Sequence, residues 1–206
     1  MQYFAWGINK PDVTDKRTAL IRTHWDFIAQ YDDVLIARGP LMDDGDLSKV
    51  IGSIHIADLP NDAAAEKFVH DEPFAKAGLF DRIVLKRFEL ELDRTQFEFT
   101  RNPNSPQFFV YRPSDTKPGV PSANLKLLHD VYVSDFDTNL VCHGALLSDE
   151  GNWNGNVFFL EFPTADDVSS FLRNDPYNNA NIYDYTEVHR WTMGGAENLN
   201  AAGALS

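Results

Sequence analysis

Two histidine–carboxylate combinations are the residues of this chain best suited to chemistry. His24 is followed by Glu72, which stands directly before a proline, and His129 is followed by Asp175, which stands before another proline. A carboxylate beside an imidazole fixes its tautomer and stabilises its cation, while burial lowers the imidazole pKa, so the balance can lie near neutrality. The sequence therefore predicts two general acid/base sites in which these four side chains are the catalytic residues.

Each of these residues also has a purely structural interpretation. A single histidine on the inward face of a helix is more often a hydrogen-bonded core residue than a catalyst. An acidic residue before proline is ordinary at the end of a helix. Recurrence in both halves favours function for the histidines, although two copies of common ancestry are not independent observations.

The spacing around these residues repeats with a period of about a hundred residues. Both halves have 21 residues from a glycine to a proline and 14 from that proline to an arginine. The residues are Gly52, Pro73 and Arg87 in the first half and Gly155, Pro176 and Arg190 in the second. So long a period predicts two domains of one kind, not a solenoid. We expect domains at residues 1–95 and 107–193, a linker at 96–106 and a flexible tail at 194–206.

Two helices must position the histidines. Apolar residues at helical spacing predict the first helix over residues 14–31, with His24 on its apolar face. The members of that face are Leu20, His24, Phe27, Ile28 and Tyr31. The second helix is predicted over residues 122–136, with His129 on the corresponding face. Both histidines should therefore point towards a sheet.

Each half follows the order β-α-β-β-α-β, which predicts an α+β fold of two ferredoxin-like units. The last strands are expected at residues 80–92 and 182–191. Several strands, such as residues 107–111 and 156–162, are apolar on both faces, so their sheet must be covered twice. The economical solution is an internal pseudo-dimer in which the two sheets pack face to face; a homo-oligomer would satisfy the pattern as well.

The first half resembles the YciI/YCII family. The resemblance rests on the helix histidine, the run Arg38-Gly39-Pro40-Leu41 and the block from Asp71 to Leu79, where Glu72 replaces the usual aspartate. The second half keeps His129 and Asp175 but has Ala145 and Asn181 where the first has a proline and a glycine.

The resemblance implies a dimeric α+β barrel with a His–Asp active site in a pocket beside the sheet. Similar sequences include an enzyme that removes HCl from a chlorinated hydroquinone, so the implied chemistry is that of a lyase or dehydrochlorinase. We therefore expect proton abstraction or elimination on a small, flat, phenolic or aromatic compound. The alternatives are a non-catalytic module that binds a small molecule or a protein, and a cofactor-free oxygenase on the same fold.

Composition excludes several other functions. The net charge of −13 and the absence of a basic stripe argue against nucleic-acid binding. No segment is long and apolar enough to span a membrane, and we expect a soluble, cytoplasmic protein. No metal-ligand spacing or phosphate loop occurs, so no cofactor and no metal are expected. The single cysteine, Cys142, is expected to be a packing residue. Arg38 and its counterpart His143 are either anion-binding groups or ordinary edge charges.

Overall fold

The computed structural model describes residues 1–116 and 120–195. The predicted tail therefore lies outside the described residues from position 196 onwards. Within residues 1–116 and 120–195, eight strands and six α-helices follow one another along the sequence. Their bounds are β1 (Gln2–Asn9), α1 (Thr14–Ile28), β2 (Leu35–Asp43), β3 (Asp46–Asp58), α2 (Asp62–Asp71), α3 (Pro73–Lys76), β4 (Phe80–Leu90), β5 (Gln107–Pro113), α4 (Ala123–Ser134), β6 (Leu140–Leu147), β7 (Trp153–Glu161), α5 (Ala165–Asn174), α6 (Pro176–Asn179) and β8 (Glu187–Trp191).

The eight strands form one closed antiparallel barrel in the order β1-β3-β2-β8-β5-β7-β6-β4. Strands β1 to β4 are contiguous around the barrel, and so are β5 to β8. The two groups join at two seams, where Leu41 pairs with Trp191 and Leu90 pairs with Gly144. Closure leaves no free strand edge at either seam. The mixed α+β class is confirmed, and it takes the form of a closed eight-stranded barrel.

Aromatic side chains from both strand groups fill the barrel interior. The Phe4 ring stacks on Phe109 with centroids 5.9 Å apart, and Trp6 meets Phe109 edge to face. The outer faces of the strands pack instead against the helices, in two separate apolar clusters around Phe68 and Phe171. The prediction that the strands are covered on both faces is therefore confirmed, since one face is covered by the interior and the other by helices.

Several predicted boundaries are corrected. Strand β8 begins at Glu187 instead of residue 182, because Asn181 has a left-handed backbone (φ 53°) and the backbone N–H of Asp184 bonds to Pro113. The strand predicted at residues 107–111 extends to Pro113, so Arg112 belongs to β5. Strand β4 ends at Leu90, two residues earlier than predicted.

The predicted linker and the first tail residues are packed. A short 3₁₀ helix covers Gln96–Glu98, and Gln96 is fully buried. Its side chain accepts a hydrogen bond from the Arg38 N–H and donates one to the carbonyl of Gly194. Gly194 in turn donates its N–H to the Arg38 carbonyl. Gln96 and Gly194 are therefore held against strand β2. Among the described helices, none is long and apolar enough to cross a membrane.

Candidate active site

The first histidine–carboxylate combination is in direct contact. His24 projects from the buried face of α1, and Nδ1 of its ring lies 2.6 Å from Oε1 of Glu72. Both residues are buried, with Glu72 only 3% exposed. An ionised carboxylate can only accept hydrogen bonds, so Nδ1 carries the proton of this contact. The neutral imidazole then has its lone pair on Nε2.

The turn between α2 and α3 fixes the carboxylate. Glu72 ends α2 and caps α3, where its Oε2 accepts the N–H of Ala75 at 2.9 Å. Pro73 stands at the first position of α3, where the missing N–H costs nothing. Phe74, the next residue, stacks on the His24 ring with centroids 4.4 Å apart. The carboxylate–proline–aromatic sequence therefore places both an acceptor and a flat surface against the imidazole.

Two opposing effects set the proton affinity of His24. Burial lowers its pKa, and the hydrogen bond and charge of Glu72 act in the opposite direction. Burial prevails, so the pKa of His24 lies below the ordinary value for histidine. The ring is therefore neutral at pH 7, which is the state that a general base requires.

A cavity of about 540 Å³ opens beside His24. Its wall includes Trp25 on α1, Arg38 on β2, and Ser53 and His55 on β3. The His24 and His55 rings meet edge to face at 5.7 Å. Burial lowers the pKa of His55 well below its ordinary value, so this second imidazole is also neutral. The cavity is large enough for a small organic molecule.

Arg17 brings a positive charge to the same wall. It lies two turns before His24 on α1, and one guanidinium nitrogen donates to Oγ of Ser53 at 2.5 Å while another donates to Asn9 at 3.2 Å. The guanidinium also lies 4.2 Å above the Phe74 ring. Burial lowers its pKa to about 10, so Arg17 is still cationic at pH 7.

The second histidine–carboxylate combination is also in contact. Nδ1 of His129 on α4 lies 2.7 Å from Oδ1 of Asp175, which caps α6 by accepting the N–H of Tyr177. The rings of His129 and Tyr177 stack in parallel at 3.8 Å. The structure thus brings together both pairs of residues that the sequence singled out.

The surroundings of this second pair are closed. Arg112 is 1% exposed, and one of its nitrogens donates to Oδ2 of Asp175 at 2.9 Å. Trp153 packs edge to face on Tyr177. His129 is itself 1% exposed, and its Nε2 is buried without a hydrogen-bond partner. The basic nitrogen of His129 therefore faces packed protein, whereas His24 lines a cavity.

The other sequence candidates lie outside these sites. Cys142 is fully buried in β6, and burial raises its thiol pKa to about 12, in agreement with a packing role. No group of three histidine, cysteine or acidic residues converges within residues 1–116 and 120–195. His143, the counterpart of Arg38, is buried 3.4 Å from Glu91, and burial lowers its pKa to about 3.

Sequence reasoning missed four residues that surround the pairs. Arg17 precedes His24 by seven residues, a helical spacing that places both on one face. Ser53 and His55 alternate with apolar residues along β3, so both face the helix layer. Both periodicities are visible in the sequence, but a charged residue at the start of a helix is normally taken to be exposed to solvent. Arg112 lies one residue beyond the strand predicted at residues 107–111, so the predicted alternation does not reach it.

Comparison with known proteins finds one family match. Residues 1–89 match the model of the YCII-related domain. No curated protein matches the sequence.

Three solved structures illustrate the range of similar folds. Chlorite dismutase from Candidatus Nitrospira defluvii, in complex with imidazole, is 10% identical over 98% of this chain and 95% of its own, with a TM-score of 0.62. An anthrone oxidase-like protein is 10% identical over 94% of this chain and 92% of its own, with a TM-score of 0.52. The 5-chloro-2-hydroxyhydroquinone dehydrochlorinase of Burkholderia phenoliruptrix AC1100, in complex with 2,5-dihydroxybenzoquinone, is 23% identical over 43% of this chain and 94% of its own, with a TM-score of 0.42. At 10% identity, the similarity to the chlorite dismutase and to the anthrone oxidase-like protein is one of fold.

Proposed function

We propose that this chain is a cofactor-free acid/base enzyme of the YCII type that acts on a small molecule held beside His24. The observation that carries the proposal is that His24, which lines a 540 Å³ cavity, contacts Glu72 at 2.6 Å. A neutral imidazole with its Nδ1 proton held by a carboxylate is a general base through Nε2. The reaction class is proton abstraction, with or without elimination of a leaving group.

The proposed step uses only residues of this chain. Nε2 of His24 takes a proton from a C–H or O–H bond of the bound compound. In an elimination, the electron pair of that bond forms a new double bond, and the leaving group departs with its own bonding pair. Glu72 stabilises the imidazolium that results, which then returns its proton to water or to the leaving group.

We further propose that the chain is a tandem of two ferredoxin-like units, residues 1–95 and 107–193, paired as an internal pseudo-dimer. The strand orders β4-β1-β3-β2 and β8-β5-β7-β6 support this proposal, because each is the antiparallel order of a βαββαβ unit. In this arrangement the first unit holds the catalytic site. The second unit holds a related pair with a structural role, since Nε2 of His129 is buried.

The test is a substitution at His24, assayed with a panel of small carbon acids and chlorinated phenols in deuterated water. NMR would follow deuterium uptake, and an ion-selective electrode would follow chloride release. We expect His24→Gln to lower turnover by about 10²–10⁴-fold, because glutamine can donate to Glu72 but cannot act as a base. The melting temperature should change by only a few degrees.

A matched control is His70→Gln, on the exposed surface of α2, which should leave turnover unchanged. Retained turnover in the His24→Gln protein would contradict the role of His24. Binding of panel compounds without any chemical change would favour the alternative, a small-molecule binding module.

A further inference from the structure

The cavity beside His24 is lined by cations although the protein as a whole is strongly acidic. The chain has a net charge of −13, yet both Arg17 and Arg38 lie in the cavity wall. The cavity-lining acids, Asp26 and Asp32, are both exposed to solvent, where water screens their charges. The two cations of the cavity wall are therefore less exposed than its two acids.

Arg17 is a buried charge without a carboxylate partner. It is 7% exposed, and its two side-chain hydrogen bonds go to the neutral groups of Asn9 and Ser53. Within the described residues no carboxylate forms an ion pair with it, although Glu72 attracts it at longer range. A guanidinium has five N–H donors, so three are left for other acceptors. Burial of an uncompensated charge is costly, which is unexpected at a site of no function.

The second half shows how the chain compensates a buried arginine elsewhere. Arg112 is as deeply buried as Arg17, but it forms an ion pair with Asp175 at 2.9 Å and a further hydrogen bond to Asn178. Its position is packed by protein. Arg112, which has its own counter-ion, does not line the 540 Å³ cavity, whereas Arg17, which has none, lines it.

Arg38 is the second cation of the cavity wall. One terminal nitrogen donates to the exposed carboxylate of Asp32 at 2.8 Å. A guanidinium has five N–H donors, so this contact leaves Arg38 further donors for a bound molecule. Both arginines of the wall therefore have donors to spare, whereas the two acids of the wall, Asp26 and Asp32, are exposed to solvent.

We infer that the cavity binds a small organic monoanion, with its carboxylate or phenolate oxygens held by Arg17 and Arg38. This inference rests on the proposed function, because the bound anion would present its reactive proton to Nε2 of His24. Guanidinium groups are well suited to such oxygens, since they donate paired, charge-assisted hydrogen bonds. Arg17 and Arg38 are then the residues that select the substrate class.

The test measures charge preference without any reaction. Isothermal titration calorimetry would compare benzoate with benzamide, which has nearly the same shape but no charge. We expect benzoate to bind at least about tenfold more tightly than benzamide, and Arg38→Gln to weaken benzoate binding by about 10–100-fold. Benzamide binding should stay unchanged. Arg87→Gln, at a surface ion pair with Asp62, is the matched control and should leave both affinities unchanged.

Arg17→Gln should weaken benzoate binding in the same way, and Arg38→Gln keeps the test decisive if the Arg17 variant does not fold. Equal binding of benzoate and benzamide, or an unchanged preference in a folded Arg38→Gln protein, would overturn the inference.

His24→Gln separates this inference from the proposed function, because it should remove turnover and retain the preference for benzoate. If His24→Gln keeps its turnover while the preference holds, the proposed function fails and the anion site remains.

Discussion

The two histidine–carboxylate pairs have almost the same contact and quite different surroundings. The distance is 2.6 Å between His24 and Glu72 and 2.7 Å between His129 and Asp175, and each ring stacks on an aromatic residue. Only the first pair adjoins the large cavity. The contact between the two groups is therefore not what separates a candidate active site from a packed core. The difference comes from which neighbours fill the space around the ring.

Each half has one buried arginine beside its pair, and the two arginines come from different elements. In the first half Arg17 lies on α1, and the strand position equivalent to Arg112 is Gly7, where an added Cβ would come within 2.5 Å of the Phe80 ring. In the second half Arg112 itself occupies the strand position, 4.0 Å above the ring of Tyr183. Arg112, on a strand, reaches the Asp175 carboxylate and fills the space beside the imidazole. Arg17, on a helix, leaves the corresponding space open.

The largest effect should follow from removing the carboxylate of the closed pair. Asp175→Asn would leave Arg112 buried without a counter-ion, because its other hydrogen-bond partners, Thr186 and Asn178, are neutral. We expect a loss of about 3–5 kcal/mol in the free energy of unfolding, which is typical when one partner of a buried ion pair is removed. Urea denaturation followed by circular dichroism would measure it.

The matched variant is Glu72→Gln in the open pair. Glu72 forms no ion pair with Arg17, and a glutamine oxygen can still accept from Ala75, so we expect a loss of only about 1–2 kcal/mol. If the two variants lose the same free energy, the distinction between a structural and a functional pair is wrong.

More of the fold than of the candidate site could be predicted from the sequence. Helix α1 follows from a local pattern, and the structure confirms it over Thr14–Ile28, three residues shorter than predicted. The sequence predicts that strand β8 begins five residues earlier than it does, because the left-handed conformation of Asn181 depends on packing that no local pattern shows. Periodicity specifies the face on which a residue lies, but the end of a strand depends on its neighbours.

The candidate site shows the same limit. The sequence singled out His24 and Glu72, although 48 residues separate them and no local rule brings them together. It could not distinguish the open pair from the closed one, because that depends on Arg112 and Trp153, which are distant from His129 along the chain. Whether a cavity exists is a property of the tertiary packing alone.

A smaller effect should appear as a pH dependence of stability in the closed half. Burial lowers the pKa of His143 from 6.5 to about 3, while the unfolded chain protonates this histidine near 6.5. The unfolded state therefore holds more protons between these values, and stability is lost as the pH falls below about 6.5. The slope is up to about 1.4 kcal/mol per pH unit, or about 2 kcal/mol between pH 7 and pH 5.

We expect His143→Gln to remove this part of the pH dependence, measured as urea denaturation at the two pH values. The groups that face His143 are Glu91 at 3.4 Å and the His129 ring at 5.9 Å, and Lys126 also lowers its pKa. His70→Gln, at an exposed site, is the control. An unchanged pH dependence in the His143 variant would mean that the region around His129 is hydrated and not closed.

The smallest difference between the halves should be at the starts of α5 and α2. Thr164 accepts the N–H of Asp167 at 3.1 Å, and the Asp167 carboxylate accepts the N–H of Thr164 in return, whereas Asn61 makes a single bond to the N–H of Ala64. We expect Thr164→Ala to cost about 1–1.5 kcal/mol and Asn61→Ala about 1 kcal/mol or less, since only the first breaks a reciprocal pair. Thermal or urea denaturation would measure both, and Thr164→Ser, which keeps the hydroxyl, should be nearly neutral. A larger loss in the Asn61 variant would show that the helix beside the open site depends on its cap more than the helix beside the closed one, because there the packing contributes less.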